Sequence, residues 1–78
     1  MNTPHNIAFG RTLRELRLEK KLSQENLAFE SGLDRTYISL LELGRRSPTL
    51  DTINALGAVL GISASEMIRR SEAPDASL

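Results

Sequence analysis

The 78-residue sequence has no cysteine, no tryptophan and only 4% aromatic residues. The missing cysteines exclude disulfide staples and thiolate metal sites, and they fit a reducing cytosol. With so few rings, the core must be built from Leu, Ile and Ala, which suits helices packed at close range. Proline stands only at Pro4, Pro48 and Pro74, so 5–47 and 49–73 are free of helix breakers. No apolar run approaches the roughly 20 residues of a membrane span, and no signal-peptide pattern is present. A soluble, cytoplasmic protein without a membrane partner is expected. No Gly-rich loop follows a strand, and no cluster of Cys, His or Asp has metal-ligand spacing, so no metal or cofactor is expected. The single histidine, His5, reads as a solvated side chain near the N-terminus rather than a catalytic or ligating group. Acidic residues recur on helix surfaces, where solvation and i,i+4 pairing account for them. Nothing here reads as an enzyme, and the short length leaves no second domain for a small-molecule effector.

Charge of one sign is also missing, because ten basic and ten acidic residues cancel. The two halves nevertheless differ. Residues 1–48 hold eight basic and six acidic side chains, whereas 49–78 hold two and four. A polyanion would therefore meet the N-terminal half, with modest non-specific affinity.

What is present reads as helix throughout, with no strand alternation, repeat or low-complexity tract. Phe9, Leu13 and Leu16 recur at i, i+4 and i+7, predicting a first helix from about Ile7 to Lys20. Ser23 is a good N-cap for a short second helix, Gln24 to Glu30, with Glu25 in its first turn and Ser31-Gly32 at its end. Asp34 can cap a third helix, and Leu33 before it is placed to pack on Ile38 as a hydrophobic staple. That helix runs to Glu42 or Leu43, and Gly44 can take the left-handed conformation. After the basic loop Arg45-Arg46-Ser47-Pro48, residues Leu50, Ile53, Leu56 and Leu60 mark a fourth helix closed by Gly61. Ser63 and Glu66 match a capping box opening a fifth helix, with Met67 and Ile68 inward. The predicted fold is an all-α, compact five-helix bundle: a flexible N-terminus over 1–6, one domain over 7–70, and a disordered tail over 71–78.

Two short helices joined by Ser31-Gly32-Leu33-Asp34 must cross steeply, and Ala28, Gly32, Ile38 and Leu41 suit such a contact. This reads as a helix-turn-helix. On a wheel of about 100° per residue, Ile38, Leu41 and Glu42 share one arc of the third helix, whereas Arg35, Thr36, Ser39 and Leu40 share the opposite one. The outward arc carries a guanidinium fork, two hydroxyls and an aliphatic, and no acid. That is an inventory able to read DNA base edges.

The stretch from Leu13 to Ser63 resembles the Cro/repressor-type, or XRE, helix-turn-helix domain, and the likeness extends over about residues 7–68. The matching residues are Leu22-Ser23-Gln24, Leu27-Ala28 with Gly32, Ile38-Ser39 with Glu42 and Gly44, the Arg-rich loop before Pro48, and Leu60-Gly61-Ile62-Ser63. The segment LDRTYIS, Leu33 to Ser39, is similar to the small controller proteins of restriction–modification systems. The resemblance implies a lambda-repressor-like DNA-binding domain that regulates transcription as a homodimer on a two-fold symmetric operator of double-stranded DNA. It places Gln24 on a DNA phosphate and Arg35, Thr36, Ser39 and Leu40 in the major groove. Tyr37 would reach phosphate or a base edge, or pack on the second helix. Arg45 and Arg46 would touch the DNA backbone, and Arg17 and Glu42 would form a structural ion pair.

The dimer contact is expected on the fourth and fifth helices, with Met67, Ile68 and Leu78, because the DNA face must stay free. A regulator without an effector domain responds to its own concentration, which suits autoregulation. Two other readings share the scaffold. An antitoxin would bind both DNA and a toxin protein, but 71–78 offers little surface for that. A helical protein–protein adaptor would enrich no DNA sequence.

Overall fold

The computed structural model describes residues 3–72. Five helices follow one another: α1 Pro4–Glu19, α2 Gln24–Ser31, α3 Arg35–Glu42, α4 Leu50–Leu60 and α5 Ala64–Glu72. Among the described residues there is no strand, and no helix is long and apolar enough to cross a membrane. The predicted all-α five-helix fold is therefore what the chain adopts.

The described residues set where the first and last helices begin and end. α1 begins at Pro4, within the stretch 1–6 expected as a flexible N-terminus, and residues 1–2 lie outside the described residues. The Thr3 side chain accepts the Asn6 N–H at 3.1 Å, and Pro4 occupies the first turn, where its missing donor costs nothing. At the other end, Ser71 and Glu72 belong to α5, and the rest of the expected tail, 73–78, lies outside the described residues.

α1 closes through a pair of turn bonds, Leu22 N–H to the Arg17 carbonyl at 3.1 Å and Lys21 N–H to the Leu18 carbonyl at 2.9 Å. Lys21 sits there at φ 58, the one non-glycine residue with positive φ among those described. The predicted caps of α2 and α3 are in place. Ser23 Oγ accepts the Asn26 N–H at 2.9 Å, and Asp34 Oδ2 accepts the Thr36 and Tyr37 N–H groups at 2.9 and 3.3 Å. Leu33 is half-buried against the core cluster that includes fully buried Ile38. The Ser63 cap of α5 is half a capping box. Ser63 Oγ accepts the Glu66 N–H at 3.1 Å, but the Glu66 carboxylate turns to Arg69 Nε at 2.9 Å and to Arg70 Nε at 3.4 Å. Arg69 holds that carboxyl below its usual range, with a smaller contribution from Arg70.

The core joins all five helices: Phe9, Leu13 and Leu16 from α1, Leu27 and Ala28 from α2, Ile38 and Leu41 from α3, Ile53, Leu56 and Leu60 from α4, and Met67 from α5. α1 packs against α3 and α5, while α2 packs against α3 and α4. The α1–α3 contact depends on Gly10. A Cβ there would press on the Leu41 carbonyl and lie 2.7 Å from the Glu42 carbonyl oxygen. No periodicity marks this glycine, because its role is to put backbone against backbone.

Gly32, between the crossing helices α2 and α3, has φ 74, and a Cβ there would meet nothing within 4 Å. Its requirement is therefore purely conformational. Gly32→Val is expected to lower stability by about 1–2 kcal/mol from backbone strain alone. A thermal melt unchanged from the parent would contradict this geometry.

Candidate nucleic-acid interface

The structure holds α3 from both ends and from below. Its N-terminus is capped by Asp34, and its C-terminus is closed by Gly44 at φ 76, with Arg45 N–H bonded to the Leu40 carbonyl at 2.9 Å. Ile38 and Leu41 are buried beneath it, so the remaining face is fixed in orientation. Arg35 and Thr36 are exposed on that face, whereas Ser39 and Leu40 are half-buried. Leu40 is thus less open than the wheel implies. The Arg35 side chain makes no hydrogen bond or ion pair among the described residues, which leaves its donor fork available.

Tyr37 lies elsewhere. It is half-buried against the core, and its hydroxyl lies 3.3 Å from Thr52 Oγ1 on α4. Thr52 also pairs with the α4 cap, receiving the Thr49 hydroxyl proton at 3.0 Å. The ring therefore links α3 to α4.

Below the open face lies a nearly buried ionic network. Arg17 Nε donates to Glu42 Oε2 at 2.6 Å, and Arg17 Nη2 donates to Glu42 Oε1 at 3.0 Å. Their side chains are 8% and 3% exposed. Arg17 Nη1 further donates to the Leu22 carbonyl at 2.9 Å, so α1, α3 and the α1–α2 turn meet at one guanidinium. The hydrogen bond to Glu42 raises the Arg17 pKa above its ordinary value, partly opposed by desolvation. The predicted pair thus exists with bidentate geometry. It also has a third member that periodicity does not reveal: Gln24 Nε2 donates to Glu42 Oε1 at 3.0 Å. Gln24, in the first turn of α2, is consequently held against the C-terminal end of α3.

The loop between α3 and α4 carries exposed Arg45 and Arg46, and Arg46 Nη1 donates to the Arg45 carbonyl at 3.1 Å. Sequence reasoning misses the residue that ties this loop to α1. Asn6, buried in the first turns of α1, donates through Nδ2 to Ser47 Oγ at 2.7 Å. The signal lies in Thr3-Pro4, a cap followed by a first-turn proline, which marks an earlier helix start and puts Asn6 inside it. Among the described residues no group of Cys, His, Asp or Glu is arranged to hold a metal ion.

A capped, short helix presented above a second helix at a tight glycine turn is the architecture of a helix-turn-helix DNA-binding domain. The helix-turn-helix family model matches residues 13–67, and the chain belongs to this XRE-type family of DNA-binding transcriptional regulators. It is similar to the control protein C.BamHI of Bacillus amyloliquefaciens, 43% identical over 63 residues that cover 80% of this chain and 78% of the relative. Among solved structures it is similar to the restriction-modification controller protein C.AhdI from Aeromonas hydrophila, with a TM-score of 0.77, 48% identity, and coverage of 80% of this chain and 94% of that one. It is also similar to the controller protein C.Esp1396I, solved as a tetramer in complex with its natural 35 base-pair operator. That likeness has a TM-score of 0.75 and 33% identity, covering 86% of this chain and 92% of the other.

Proposed function

We propose that the protein is a sequence-specific transcriptional regulator of the controller type, binding a two-fold symmetric DNA operator as a homodimer through α3. The observation that carries this reading is the rigidly mounted, acid-free face of α3, with Arg35 and Thr36 exposed and Ser39 and Leu40 beside them. Arg35 suits the paired acceptors of a guanine in the major groove, and Leu40 suits a thymine methyl. Gln24 uses one carboxamide N–H on Glu42, which leaves the other for a phosphate beside the free N–H groups of the first turn of α2. Arg45 and Arg46 take the adjoining backbone. Tyr37 serves the DNA contact through its link to Thr52, which steadies α3 against α4.

One short helix spans only a few base pairs, so two half-sites about one DNA turn apart supply the specificity that one lacks. The dimer contact belongs on the surface of α4 and α5, away from α3. Met67, expected in that contact, is fully buried in its own core and contributes no area to it. Ile68 is half-buried, and Leu78 lies outside the described residues. Leu50, 76% exposed at the start of α4, is an apolar group that this fold leaves uncovered. The similarity to controller proteins supports autoregulation. Cytoplasmic action without a cofactor or small-molecule effector completes the reading.

Selection of bound duplexes from a random library tests the function directly. Enrichment of a two-fold symmetric sequence that also occurs upstream of the protein's own gene is the expected result, whereas no enrichment would favour an adaptor. Arg46→Ala is expected to weaken binding to all sequences alike. The slope of log affinity against log salt should become shallower by roughly 0.9 for each phosphate that the variant no longer neutralises, as a titration across salt concentrations would read.

A further inference from the structure

We infer that Asn6 is a positioning residue for the DNA-backbone contact, holding the Arg45–Arg46 loop in its binding conformation from the first turns of α1. This rests on the phosphate-contacting role proposed above for that loop. Asn6 stands in the first turn of α1, and a purely packing role on its buried side is better filled by Ala or Leu. Here the side chain is 7% exposed and reaches a residue 41 positions away, with Nδ2 donating to Ser47 Oγ at 2.7 Å.

A second contact from the same part of α1 fixes the other side of the loop. Gly44 lies so close to Ile7 that a Cβ on it would come within 2.9 Å of the Ile7 Cα. Arg45 and Arg46 therefore stand between two points held by neighbouring residues of one helix, Ile7 against Gly44 and Asn6 against Ser47. The loop bears two of the chain's ten basic residues, on a protein whose net charge is zero. Nonspecific attraction to DNA is weak for such a chain, so the placement of each cation carries more of the affinity. A loop already ordered before binding does not lose that backbone entropy when a phosphate arrives.

The test compares Asn6→Ala, Ser47→Ala, the double variant and Arg46→Ala for binding to the selected operator and its single-base variants over a salt series. Melting curves define a temperature at which every variant is folded, and Ser47, being exposed, gives a variant expected to fold even if Asn6→Ala does not. Asn6→Ala and Ser47→Ala are each expected to weaken binding about tenfold per half-site, the weight of ordering one backbone residue. The loss should be equal across base variants and leave the salt slope unchanged, because the ordered loop of the complex still neutralises the same phosphates. The double variant should bind no more weakly than Asn6→Ala alone, because that variant already removes the Asn6–Ser47 bond. Lower melting temperatures with unchanged affinity, while Arg46→Ala still flattens the slope, would overturn the inference and leave the loop's role standing. An unchanged slope for Arg46→Ala would remove the phosphate contact itself, and the inference with it.

Discussion

Glu42→Ala is expected to lower stability by about 3–5 kcal/mol, enough to leave the domain largely unfolded at physiological temperature. Glu42 accepts three hydrogen bonds, two from Arg17 and one from Gln24, and its side chain is 3% exposed. Truncation leaves the Arg17 guanidinium charged, barely hydrated and joined only to the Leu22 carbonyl. An orphaned buried charge costs far more than the pair contributes, so the loss exceeds that of a surface ion pair several-fold. For a domain of this length each kcal/mol shifts the melting temperature by roughly 4–8 °C, so the change is large and easily measured. Removing both charges with Arg17→Met and Glu42→Leu is expected to recover much of the loss, because no unpaired ion remains. A melting temperature for Glu42→Ala within two or three degrees of the parent would show that water reaches the site freely.

Much of the fold is legible in the sequence because local chemistry and long-range packing agree. Ser23 and Asp34 are cap residues in the sequence and caps in the structure, and Leu33 packs on the core as a staple residue would. Gly44 and Gly61 end helices at positive φ, where their lack of a Cβ is most useful. The Arg17–Glu42 pair is implied by the family resemblance, and the structure adds its bidentate geometry. What escapes the sequence depends on contacts between segments that leave no periodic trace. The apolar stripe of α1 starts a turn late because Thr3, Pro4 and Asn6 organise the first turn through hydrogen bonding rather than burial of apolar groups. Gly10 fits α1 against the carbonyls of Leu41 and Glu42, which requires a missing side chain rather than a patterned one. A helical wheel sets Tyr37 on the flank of α3, but only the position of α4 decides that its hydroxyl meets Thr52. The outward inventory of α3 is readable, whereas the partial cover over Ser39 and Leu40 is not.

The second large effect is expected at Arg35. Arg35→Ala should cost about 1–3 kcal/mol per half-site, so a symmetric dimer loses twice that on its operator. The side chain is exposed, is bonded to nothing among the described residues, and projects from the first turn of a helix whose cap and core contacts fix its direction. A bidentate fork on a guanine discriminates among bases, so the loss is concentrated at one base pair in each half-site. Stability should change little, since no intramolecular partner is removed. The phosphate-contacting Arg46 gives the opposite pattern, a uniform loss with a changed salt slope.

The most direct measurement is therefore the affinity of the parent protein and Arg35→Ala for the selected operator and every single-base variant of it, at one fixed salt concentration. If α3 reads the DNA, the parent shows a strong preference at one symmetric pair of positions, and Arg35→Ala loses that preference while the others persist. Retention of the full set of parent base preferences by Arg35→Ala would contradict the assignment of α3 as the reading element.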